Sequence, residues 1–136
     1  MAVDYPTFLL TVTQLRSNAA YQAAEMMRRK ASGVALASAD QGSPEFAAFL
    51  LLIGTWQRIG ILARMLDRSE LHRLFKCTPA KLMWGYLSEG VERIGNPAEI
   101  TPDFLWLVQQ YDEWQRTEDG SRYSSQTPQI ICAMFG

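Results

Sequence analysis

The chain has 136 residues, 48% of them hydrophobic, with four Trp, five Tyr and six Phe, enough for one domain with a real core and too apolar for extended disorder. A formal net charge of −1 gives no global attraction to phosphate backbones or anionic lipid, so nucleic acid is not expected as a partner. The charge is uneven: residues 1–81 carry ten basic and six acidic side chains, residues 82–136 three and eight. Either the halves neutralise one another within one fold or across a dimer, or the first half presents a basic surface to an acidic partner.

The start, MAVDYPTFLL, has no basic region before its apolar residues and does not read as a signal peptide. A first helix is expected over Thr7–Lys30, with Phe8, Val12, Leu15, Ala19, Ala23 and Met26 stepping by three or four along one stripe. Residues 31–43, ASGVALASADQGS, are small, polar and punctuated by glycine, and read as a flexible connection.

Three hydroxyl residues precede prolines: Ser43-Pro44, Thr78-Pro79 and Thr101-Pro102. Each pair fits an N-cap followed by proline at the first helical position, where the hydroxyl accepts a spare N–H and proline lacks only a donor that had no partner. The first opens a helix from Pro44 to Leu66 that contains FAAFLLLIGTWQRIGILARML. Its uninterrupted apolar run, Phe46 to Ile53, falls short of the ~18 residues a span requires, so a membrane is not expected and the cytoplasm is the default location. At 100° per residue Arg58 shares a stripe with Leu51, Leu62 and Met65, while Gln57 and Arg64 share another with Phe46, Leu50, Ile53 and Ile61. A helix apolar nearly all round belongs in the middle of a bundle.

A short helix capped by Ser69 is expected over Glu70–Lys76, then one capped by Thr78 over Pro79–Ile94 that buries Leu82, Met83, Tyr86, Leu87, Val91 and Ile94. Gly85 and Gly90 inside it point to close helix approach. Thr101 caps the last helix, Pro102–Thr117, with Phe104, Leu107, Val108, Tyr111 and Trp114 on its buried face. From residue 118 a polar tail leads to an apolar plug, Ile130, Ile131, Cys132, Met134 and Phe135. The expected fold is all-α: a single domain over residues 1–117, built as a compact bundle of four longer helices plus one short helix.

No catalytic or cofactor signature emerges. His72 is the only histidine, which rules out multi-histidine metal sites within one chain, and no phosphate loop occurs. Cys77 and Cys132 read as free thiols. Glu89 and Glu92 read as a solvated face or as partners for arginines in preference to a metal pair, and no cofactor is expected. Arg64, Arg68, His72 and Lys76 follow at four-residue spacing with Arg73 close by, giving either an ion-paired surface or a site for an acidic partner. Arg58 is expected to be buried against a carboxylate from residues 82–119, as an inter-helix ion pair or, with Arg64, Trp56, Trp84 and Trp106, as part of an anion or ligand pocket.

The segments LIGTWQRIGILARMLDRSELHRLF, MWGYLSEGVERI and FLWLVQQYDEW, within residues 52–115, resemble the DUF4760-type family of small bacterial helical domains of unassigned function. The resemblance covers about half the chain through packing motifs, supports an all-helical fold and implies no catalytic residue. The function expected is a non-enzymatic interaction or regulatory module of bacterial or phage origin, homodimeric or engaging another protein, with Trp106 and the apolar plug as interface candidates. A small-molecule or anion-binding domain is the first alternative, and a nucleic-acid accessory protein using the basic cluster the second.

Overall fold

The structure is a computed structural model that describes residues 4–122. The fold is all-α, and among the described residues there are eight helices: α1 Tyr5–Ser17, α2 Ala19–Ala31, α3 Gly33–Ala37, α4 Pro44–Ala63, α5 Arg68–Phe75, α6 Ala80–Ile94, α7 Pro97–Ile100 and α8 Pro102–Gln115. A 3-10 turn, Gly120–Arg122, packs on the end of α8.

α4 lies at the centre, as its composition implied, and packs against α1, α2, α3, α6 and α8. Ser43 caps it by accepting the Phe46 N–H at 3.2 Å, with Pro44 in the first turn. It buries Phe49, Leu52, Ile53, Trp56, Ile59 and Ala63 against its neighbours. Two glycines set how closely helices meet. A Cβ on Gly60 would collide with the Asp103 carbonyl of α8, and one on Gly90 of α6 would lie 2.5 Å from the Phe49 ring. Gly85, expected to do the same, faces open space.

The single helix expected over residues 7–30 is two helices. Asn18 adopts ψ 136 and turns its side chain onto the N–H groups of Ala20 and Tyr21, capping α2. The break resets the helical phase: α1 buries Tyr5, Phe8 and Val12, whereas α2 buries Tyr21, Ala24 and Glu25 and leaves Met26 exposed. The connection expected over 31–43 contains α3, whose Leu36 is only 1% exposed. Among the described residues the bundle therefore has five helices of 13 to 20 residues and three short ones, in place of four and one. The α2–α3 corner rests on Ser32 at φ 83 and ψ 155, backbone that side-chain-bearing residues rarely adopt.

Other starts differ from expectation in their caps. α5 is capped by Asp67, which accepts the Glu70 N–H at 2.9 Å, while Ser69 only donates to the Asp67 carboxylate. The carboxyl of Asp67 is held below its usual range chiefly by that backbone bond. α6 follows Thr78-Pro79 but has no side-chain cap bond. α7 is a short helix after Asn96, whose side chain accepts the Ala98 N–H at 3.0 Å.

Candidate functional site

The polar residues inside α4 have three different fates. Gln57 and Arg64 grip the start of α8. Gln57 Oε1 accepts the backbone N–H groups of Asp103 at 2.9 Å and Phe104 at 3.0 Å, and its Nε2 donates to the Asp103 carboxylate. Arg64 Nε donates to the other carboxylate oxygen while its guanidinium lies 4.5 Å from the centre of the Trp106 ring. The side chain of Thr101 turns back to donate to the Pro97 carbonyl at 3.0 Å. A glutamine from another helix thus takes the place of the local cap, satisfying the orphan donors that every helix start leaves. Neither Gln57 nor Asp103 stood out in the sequence as a site residue; the signal was the shared stripe of Gln57 and Arg64, which suits a single acid in a first turn elsewhere.

Trp56, a ligand candidate from the sequence, is 0% exposed and closed off from ligands. It stacks on Phe104 and donates from Nε1 to the Tyr21 hydroxyl at 3.0 Å. That hydroxyl donates to Glu25, which also receives Arg28 Nε and Nη2 at 3.1 and 2.9 Å. Arg28 in turn lies over the ring of Tyr86, which is 44% exposed and not in the core as expected. Burial, then the charge of Glu25, pushes the Tyr21 phenol above its ordinary range. A buried carboxylate is tolerable here because a fork of guanidinium N–H groups surrounds it. The stripe Tyr21, Glu25, Arg28 was legible only once the phase of α2 was known.

Arg58 is the correction of most consequence. It is exposed and makes no ion pair among the described residues. Its stripe runs along the border of the buried face of α4: Leu51 and Leu62 pack half-buried against the core, while Met65, in the turn after the helix, is exposed. Beside it Leu50, Ile61 and Met65 are 45%, 44% and 43% exposed. Arg58 leans over a cleft of about 220 Å³ between α1, α2 and α4, which Tyr21 and Thr55 also line. Glu89 and Glu92, proposed partners for the arginines, are exposed on α6 and pair with neither. Glu89 instead borders a groove with Arg29, Lys30 and Tyr86.

The basic residues do not form one stripe, since the chain breaks between α4 and α5. Arg64 is held by Asp103, Arg73 lies 4.3 Å from the Tyr5 ring centre, and Lys76 is half-buried. Arg68 and His72 remain, on the wall of a cleft of about 400 Å³ whose other side carries Trp106 and Glu113. Burial, followed by the charges of Arg68 and Lys76, lowers the His72 pKa. Trp84 and Trp106, the other ligand-pocket candidates, are half-buried, Trp84 meeting Phe104 edge-on at 5.0 Å. Ile130, Ile131, Met134 and Phe135 lie outside the described residues. Among those residues no group of three His, Cys, Asp or Glu side chains is placed to hold a metal ion.

By length and composition α4 is capable of crossing a membrane, and half of its most apolar window is buried inside the bundle. The chain matches no family model, no curated protein and no solved structure.

Proposed function

We propose that the chain is a non-enzymatic interaction module that works as a homodimer, with the outer face of α4 as its seam. One observation carries this reading: Leu50 and Ile61 stay 45% and 44% exposed on the most apolar helix, along one line with Ala47 and Gly54, and Met65, in the turn that follows the helix, is 43% exposed. At about 100° per residue Ala47, Leu50, Arg58 and Ile61 all fall within roughly 40° of Gly54. Contiguous exposed apolar surface of this kind marks interfaces.

A second copy is the favoured partner because the stripe suits a two-fold axis at Gly54, beside which an added Cβ would meet nothing. In an antiparallel pair crossing there, the two Arg58 Cα atoms lie about 12 Å apart along the axis, beyond the ~10 Å over which 0.1 M salt screens charge. A parallel pair would set them side by side.

Sedimentation velocity at tens of micromolar tests the proposal. The expected mass is twice 15.4 kDa, with Ile61→Glu and Leu50→Glu giving monomers whose thermal melts retain wild-type cooperativity. A wild-type monomer would overturn it, and recruitment of the monomer to neutral lipid vesicles would show that α4 faces a bilayer instead.

A further inference from the structure

The cleft beneath Arg58 has features that a solvated helix edge does not require. Thr55 of α4, only 2% exposed, lines it, and the Thr55 hydroxyl has no hydrogen-bond partner among the described residues. Threonines on a helix commonly satisfy themselves by donating to the carbonyl four residues back, as Thr11 does to Thr7 in this chain. Thr55 does not, and it lines the cleft.

Two positive features meet at the same space, and a third lies behind it. Arg58 stands one turn of α4 along, free of any carboxylate among the described residues. The N-terminus of the 13-residue helix α2 opens onto the cleft through Asn18 and Tyr21, bringing the positive end of its dipole. Behind Tyr21, Arg16 lies over the Trp56 ring, 5.5 Å from its centre, with its Nε buried and unpartnered. No acidic side chain lines the cleft, and the nearby carboxylate of Glu25 is already engaged by Arg28.

From this arrangement we infer that the cleft binds a small oxyanion, with Arg58 as its charge partner, the Thr55 hydroxyl and the Gln14 amide as hydrogen-bond donors, and the start of α2 as a supporting dipole. The volume of about 220 Å³ lies below the ~300 Å³ at which drug-sized ligand sites begin, so a single carboxylate or phosphate group fits and a nucleotide does not. Thr55 sits on the flank of α4, about 100° around the helix from Gly54, and Arg58, about 40° from it, borders the proposed seam. All the lining residues come from one protomer, so the titration is read on the monomeric Ile61→Glu variant as well as on the wild type.

Amide NMR titration of the full chain with sodium phosphate, and separately with sodium acetate, tests the site against a sodium chloride control of equal ionic strength. Saturable shifts are expected at Ala20, Tyr21, Thr55 and Arg58. A response to phosphate identifies a phosphoryl ligand, and one to acetate a carboxylate. Arg58→Gln, at an exposed position, should weaken binding about tenfold, the loss of one charge-assisted contact. Thr55→Val, which keeps the side-chain shape, should weaken it by a smaller factor. The inference is overturned if neither probe saturates, if shifts scatter over Arg68, Arg73 and Lys76, or if Arg58→Gln leaves the affinity unchanged.

Discussion

Replacing Gln57 by leucine removes the side chain that, among the described residues, caps α8, while keeping the approximate volume at the α4–α8 crossing. Three interactions go at once: the two backbone N–H groups of Asp103 and Phe104, and the donor to the Asp103 carboxylate. Loss of an ordinary cap costs about 1 kcal/mol, and a hydrogen bond to a charged group contributes about 1.5–3. The site is half-buried, so water recovers part of this, and a net loss of about 2–3 kcal/mol follows. For a chain of this size that lowers Tm by about 10 °C. Urea unfolding followed by circular dichroism should show a lower midpoint with an unchanged slope, since the surface exposed on unfolding is nearly the same. Arg64→Leu supplies the contrast. It contacts the same carboxylate, but its side chain is 45% exposed, so its loss should cost no more than about 1 kcal/mol and shrink further in high salt. If Gln57→Leu falls within about 0.5 kcal/mol of wild type, the value ordinary for a surface change, α8 does not rely on this cap and the reasoning fails.

The two glycines of α6 should respond oppositely to alanine. Gly85→Ala, facing open space, gains up to about 1 kcal/mol from helix propensity, whereas Gly90→Ala, 2.5 Å from the Phe49 ring and 3.0 Å from the Gly33 carbonyl, loses about 1–3, both read from chemical denaturation. Ser32→Gly relieves backbone at φ 83 and ψ 155 at the cost of a weak cap, and should raise stability by about 1 kcal/mol in the same assay. His72 has a folded pKa below its ordinary 6.5, so the unfolded chain takes up its proton first and stability falls as pH drops from 6.5 toward the lowered value. His72→Gln should flatten that segment of the stability curve. The cap carboxylates Asp4 and Asp67, whose pKa values are lowered from 3.8, keep their contribution above that pH and lose it only in stronger acid.

Helix existence was easier to read than helix mechanism. The face of α8, Phe104, Leu107, Val108, Tyr111 and Trp114, is buried as its period implied, and α4 occupies the centre as its composition implied. The hydroxyl-proline pairs marked three starts, yet only Ser43 caps by the mechanism the motif suggests. Asn18 and Asp67 cap helices without a following proline to announce them, Asn96 caps one ahead of Pro97, and missing Asn18 put the stripe of α2 out of phase. Arg58 was misplaced for a related reason. Periodicity says which residues share a stripe but not which stripe meets solvent when a helix is apolar on nearly every side. Gln57 and Asp103 were hidden by distance, because a cap supplied from 46 residues away leaves no local trace.

The central position of α4 also has a consequence during synthesis. Its 20 residues are made before α6 and α8, which cover much of it, and the ribosome must add residues 64–115 before α8 can close over Gly60. At about 5–20 residues per second that interval lasts roughly 3–10 s, during which a segment apolar enough to enter a bilayer has only α1, α2 and α3 to pack against. An arginine near the middle of a nascent span raises the cost of insertion by about 2.5–3.5 kcal/mol, and less toward its end. Arg58 and Gln57, in the second half of the helix, lower its hydrophobicity and add to that cost.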